Sequence, residues 1–223
     1  MTFDEGLAGG VLFIGETIEA TATLACSLGV SAGAGVIVPQ QPATPTWAWN
    51  WRDTLDRWRD GLADGPPVER VVVCTWPATI RSTPVLALSP EEWRAQVEWP
   101  LALWFNALAV AAQRCADGGS IVAVIELPSA IDAVGHGAIV TVAEGLLALV
   151  RSLAAREGGR EVRVNAVTTE LFTAPAVLAG SPPPLATFPG RADVEVAGAV
   201  RMLGSPDASG LTGTVLRATG GRP

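Results

Sequence analysis

At 223 residues, 49% of them hydrophobic and 17% charged, with a net charge of −7, the sequence describes one domain able to bury about 70% of its unfolded surface. The acidic balance argues against a nucleic-acid partner, because phosphate binding needs a basic surface. There is no tyrosine and no lysine, so all 15 basic residues are arginine, which excludes a Schiff-base lysine, a phosphate-loop lysine and any tyrosine–lysine acid–base pair.

In chain order, Gly10 to Gly15 reads as a short strand, and Ile18 to Leu28, closed by Gly29, as a small-residue helix. Val36 to Pro39 is a second strand. Trp47, Trp49 and Trp51 alternate with period two and suit a third, with all three indoles on one face for packing. Arg52 to Ala63 is a charged amphipathic helix ended by Gly65-Pro66-Pro67, and Val71 to Cys74 is an apolar strand of the kind covered on both faces. Ser89-Pro90-Glu91-Glu92 announces a helix to about Ala116, with Pro100 in its interior expected to kink it.

The stretch from Gly119 to Gly159 organises the rest: a strand over Ile121 to Ile125, a loop holding the only histidine, His136, and a helix over Ala138 to Ala155. That helix is apolar around nearly its whole circumference, so it is expected to be covered on more than one side, by its own sheet and by a partner subunit. A strand from Val162 to Val167, a proline-rich loop from Ser181 to Gly190, a helix from Val194 to Leu203 and a strand from Gly213 to Ala218 complete the pattern. Strands alternating with helices at this spacing predict a single α/β domain, a doubly wound parallel sheet of Rossmann type with helices on both faces. Charged residues interrupt the apolar runs short of the ~18 to 20 needed to cross a bilayer, and the N-terminus lacks a basic region before an apolar one. The chain is therefore expected to be cytoplasmic, without a membrane. Cys26, Cys74 and Cys115 sit in apolar contexts at no metal-like spacing and are expected to be free thiols, with no metal bound.

Arg151-Ser-Leu-Ala, Val162-Arg-Val-Asn-Ala-Val, Ala197-Gly-Ala-Val-Arg-Met-Leu-Gly-Ser and Leu211-Thr-Gly-Thr-Val-Leu-Arg-Ala-Thr-Gly-Gly, in that order, resemble the second half of the short-chain dehydrogenase/reductase family. Glu91-Glu-Trp and Gly118-Gly-Ser-Ile-Val extend the likeness upstream. The resemblance implies that the family's catalytic tyrosine and lysine fall on Ile139 and Ala143, its serine on Glu126 and its assisting asparagine on Pro100. Losing one general acid alone typically costs a factor of about 10² to 10⁴. The family's glycine-rich turn becomes Gly15-Glu-Thr-Ile-Glu19-Ala-Thr21, in which only Gly15 survives, and Glu19 would turn a carboxylate toward a diphosphate. The Asn-Asn-Ala-Gly signature becomes Cys74-Thr-Trp76-Pro, and the Pro-Gly after the Asn-Ala-Val strand becomes Thr169-Glu170. The helix between the second and third strands is read as deleted.

These losses imply a chain with no catalytic residues of its own and no nucleotide cofactor. The resemblance further implies assembly through the tryptophan-led helix and the central helix, with Trp93, Trp104, Leu146, Leu149, Val150 and Leu153 at the interface. The expected role is a non-catalytic subunit supporting an intact homologous short-chain dehydrogenase/reductase in a heteromeric NAD(P)-dependent enzyme. Two other readings stand beside it. A cofactor-independent elimination, isomerisation or dehydration could use Glu126 or His136 as base, against the simpler view of Glu126 as a solvated or salt-bridged loop carboxylate and His136 as a turn residue. A regulatory protein could bind a small ligand between Trp76 and the Ser181 to Gly190 loop.

Overall fold

The computed structural model describes residues 10–15, 19–30, 35–37, 52–75, 83–128, 135–170 and 190–220. Within them six parallel strands form one sheet: β1 (Val11–Gly15), β2 (Gly35–Ile37), β3 (Val68–Cys74), β4 (Cys115–Glu126), β5 (Arg163–Thr169) and β6 (Val215–Ala218), in the order β2-β1-β3-β4-β5-β6. The order reverses at β1 and β3, as in a doubly wound sheet. The central strands carry continuous runs such as Val71 to Cys74 and Ile121 to Ile125, almost completely buried because helices cover both faces. The predicted strand at Trp47 to Trp51, and the deletion inferred beside it, lie outside the described residues.

The helices are α1 (Glu19–Ser27), α2 (Arg52–Ala63), α3 (Pro90–Trp93), α4 (Trp99–Arg114), α5 (Gly137–Glu157) and α6 (Ala197–Gly204). The start at Pro90 is the predicted one: the Glu92 amide donates to Ser89 Oγ at 3.1 Å and the Ser89 amide to Glu92 Oε2 at 2.8 Å. Pro100 lies in the first turn of α4 rather than in the interior of one regular helix. A π-helical turn over Arg94–Glu98 joins α3 to α4, and the Trp99 amide reaches back to the Arg94 carbonyl. Widening the turn by one residue absorbs the irregularity imposed by a proline ring without an N–H.

By length and hydropathy the segment Gly137–Arg160 would suffice to cross a bilayer, contrary to the expectation from charge spacing, because Glu144 and Arg151 dilute its apolar character only slightly. In this fold α5 lies on β5, β4 and α4, with Val142, Ala143, Leu146 and Val150 inside the core. The chain's own sheet therefore covers more of α5 than its composition implied.

Arginine replaces lysine with a structural consequence. Arg201 donates to the Ser27 carbonyl at the end of α1 (3.0 Å), and Arg114 to those of Leu62 and Pro66 beyond α2 (3.0 Å each). Arg160 reaches Ala112 and Cys115 at the end of α4 (2.9 and 2.6 Å), while Arg163 reaches Leu203, Ser205 and Ala208 around the end of α6 (2.7, 3.1 and 3.1 Å). Each cation meets the negative end of a helix dipole, and in Arg114, Arg160 and Arg163 the planar fork serves two or three carbonyls where an ammonium would be a point charge.

Candidate functional site

In a doubly wound sheet ligands bind beyond the carboxyl ends of the strands, and the chain's unusual polar groups collect there. Glu126 ends β4 with 0% exposure, paired in register with Thr169 on β5, whose carbonyl accepts the Leu127 amide at 2.7 Å. Its burial in a strand overturns the solvated-loop reading of Glu126. Glu170 follows, 2% exposed, with Oε1 accepting from Arg217 Nη2 at 3.0 Å and Oε2 buried without a partner. Thr75, immediately after β3, is fully buried, and its Oγ1 also lacks a partner.

His136 occupies the N-cap position of α5, whose first turn opens at this same edge, but its side chain does not cap the helix. It is buried, Nδ1 has no partner, and burial pushes its pKa below the ordinary 6.5, so the ring is neutral at pH 7. A Cβ on Gly137 would lie 2.3 Å from Val85 Cγ2, so the glycine lets the 3₁₀ turn Val85–Ala87 rest on the start of α5 without moving the Val85 side chain. The Thr83 amide, donating to the Gly135 carbonyl at 2.7 Å, ties the two segments together. Each buried polar atom left unpaired costs about 1 to 3 kcal/mol, so three at one edge mark a place where bound groups or water would recover that cost.

A family model described as enoyl-(acyl carrier protein) reductase matches residues 71–222. The chain belongs to the short-chain dehydrogenase/reductase family. Among solved structures, a putative short-chain alcohol dehydrogenase from Sinorhizobium meliloti is 16% identical with a TM-score of 0.68, the match covering 97% of each chain. A short-chain dehydrogenase/reductase from Serratia marcescens is 17% identical (TM-score 0.61; 95% of this chain, 96% of that one). A blue fluorescent protein from a metagenomic library, in complex with NADPH, is 18% identical (TM-score 0.64; 97% and 99%). These likenesses show the shared fold. No curated protein matches.

Ile139 and Ala143, the positions that the resemblance assigned to the tyrosine and lysine, lie one turn apart on α5, 6% and 0% exposed. Pro100 is buried at the start of α4. Gly15 survives for a reason internal to the sheet: a Cβ there would lie 2.9 Å from the Cys74 carbonyl oxygen and 2.4 Å from Phe13 Cε1. Glu19 stands exposed in the first turn of α1, an acidic side chain at the positive end of the helix dipole, and Thr21 is buried. Trp76 and the 181–189 loop lie outside the described residues. Among the described residues no group of three histidine, cysteine or acidic side chains is placed to hold a metal.

The predicted interface needs correction. Trp104, Leu146 and Val150 are 0% exposed, packed inside the chain's own core, because α4 and α5 turn those positions toward each other and the sheet. Trp93, Leu149 and Leu153 are partly buried and reach the surface. The outward face also carries Phe105, 59% exposed, which the sequence pattern did not single out, and a shallow groove of about 150 Å³ runs between Phe105, Leu108, Leu149 and Leu153 with Arg156 at its edge. Also missed were Thr75, Glu170 and Arg217. Thr75 and Glu170 fall within two of the replaced motifs of the resemblance, and all three lie just after, or at, strand ends in a parallel sheet.

Proposed function

We propose that this chain is a non-catalytic short-chain dehydrogenase/reductase-like subunit, cytoplasmic, supporting a catalytically intact homologue in a heteromeric NAD(P)-dependent oxidoreductase. The observation that carries the reading is the absence of tyrosine and lysine from the whole chain, with Ile139 and Ala143 buried at their positions. Glu19 at the first turn of α1 supports it on the cofactor side. The apolar groove on α4 and α5 supports it on the partner side, since Phe105, Leu149 and Leu153 form a face of the kind that subunit contacts cover.

Titration calorimetry with NAD(H) and NADP(H) is expected to show no binding, and micromolar affinity for either would sink the reading. Purification from the native host is expected to bring down an intact short-chain dehydrogenase/reductase at stoichiometric level. Phe105→Asp should abolish that capture while leaving the Tm within a few degrees, as the side chain is mostly exposed.

A second reading rests on a separate observation, the unpaired buried atoms of Thr75, His136 and Glu170 at the sheet edge where β4 ends in Glu126. They support a cleft for a small polar ligand, with Glu126 or neutral His136 able to move a proton without a cofactor. A thermal-shift screen of small amides, alcohols and hydroxy acids tests it. A hit should weaken in Glu126→Gln and His136→Ala, and a hit unchanged in both would remove the cleft as the site.

A further inference from the structure

The opposite edge of the sheet holds a second polar construction that neither reading uses. Arg70 on β3 pairs in register with Ser120 on β4, and Ser120 with Arg163 on β5. In-register neighbours in a parallel sheet project to the same face, so the three side chains form a row across adjacent strands with the two arginine backbones about 9.5 Å apart. The face is the one covered by α6. A Cβ built on Gly204, at the end of that helix, would stand 3.6 Å from Arg70 Cδ and 4.0 Å from Ser120 Oγ.

The row is built and incomplete. Ser120 is 3% exposed, and its Oγ is buried without a hydrogen-bond partner. Arg163 uses three N–H groups on the carbonyls around the end of α6 and forms no ion pair among the described residues, leaving Nε–H and one Nη2–H for another acceptor. Burial lowers its pKa, as expected for a guanidinium that has lost water without gaining an anion. An open groove of about 370 Å³ runs past Arg70, Ser120 and Arg163, within the range of small-molecule sites. The irregular pairing that sets Val68 against Cys115 but Arg70 against Ser120 makes room for it, with Gly118 at φ 76° turning the extra residues outward.

We propose that the Arg70–Ser120–Arg163 row binds the phosphate group of a small phosphorylated metabolite. The two guanidiniums would flank the oxyanion and donate charge-assisted hydrogen bonds, and the Ser120 hydroxyl would donate the bond it otherwise lacks. Two acidic side chains border the groove. Asp117 is held by Arg160 Nε at 2.7 Å, and Glu69 is exposed at the rim, where it opposes the anion. The proposal is independent of the subunit reading, and either can fail alone.

Thermal shift tests it, with inorganic phosphate and glycerol 3-phosphate titrated against sodium chloride at equal ionic strength. Both phosphates should raise the Tm saturably beyond the chloride control. A tighter ester would place the organic group in the groove, and equal affinities would assign the site to the phosphate ion alone. Ser120→Ala, which removes only an unpaired hydroxyl, and Arg70→Gln should each weaken binding about tenfold or more, while Glu69→Gln should strengthen it. No rise beyond chloride, or affinities within twofold of wild type in both Ser120→Ala and Arg70→Gln, would overturn the proposal.

Discussion

The two ends of the same sheet use most of their polar groups differently, the unpaired hydroxyl of Ser120 being the exception at the amino edge. At the amino edge Arg160 and Arg163 are spent largely on structure, tying carbonyls at helix ends to neighbouring strands. At the carboxyl edge Thr75, His136 and Glu170 are buried, each with one side-chain atom that has no partner, and Ile139 and Ala143 present only hydrocarbon. Polar side chains that cap helices are part of the fold and should be costly to lose. Those left unpaired contribute little to the fold and should be cheap to lose.

That contrast can be broken by experiment. Arg163→Met removes three hydrogen bonds around the end of α6 and leaves their carbonyls without a donor, so it should cost about 2 to 4 kcal/mol in chemical denaturation. A loss below about 1 kcal/mol would mean that the arginine caps are ornamental.

The His136 ring has its pKa pushed down by burial, so below about pH 6.5 the unfolded chain takes up a proton that the folded chain refuses. Its contribution is therefore fully present above pH 6.5 and is lost as the pH falls toward the folded pKa. Stability should decline between pH 7 and pH 5 more steeply in the wild type than in His136→Gln, and parallel profiles would show that His136 is not desolvated.

The smallest effect belongs to Thr75→Val, which replaces an unpaired buried hydroxyl by a methyl group of similar shape. It should be neutral or stabilise by up to about 1 kcal/mol. Loss of more than that would reveal a bonded water or ligand at Thr75.

Much of the fold was legible because its signals are local. The capping box at Ser89, the amphipathic Arg52 to Ala63 helix and the apolar Val71 to Cys74 strand each depend on residues within a turn or two of one another. The candidate site was legible in part. Glu126 and His136 were named from the family alignment, but the burial of Glu126 was not foreseen, because a carboxylate at a strand end is exposed or buried according to what packs across it. Nothing near Trp104, Leu146 or Val150 distinguishes an inward from an outward apolar position when the whole helix is apolar, which is why the predicted interface mixed core residues with surface ones.

Periodicity and the absence of a residue type need no coordinates, so the order of amino acids was enough to establish the α/β alternation and to exclude the family's tyrosine–lysine chemistry. Tertiary structure alone decided which polar groups meet. Arg70, Ser120 and Arg163 are separated by 50 and 43 positions in sequence and become neighbours only through strand register. Thr75, Glu126 and Glu170 share an edge for the same reason: sheet pairing is a long-range property, set by how whole strands bury their faces rather than by the residues beside each group.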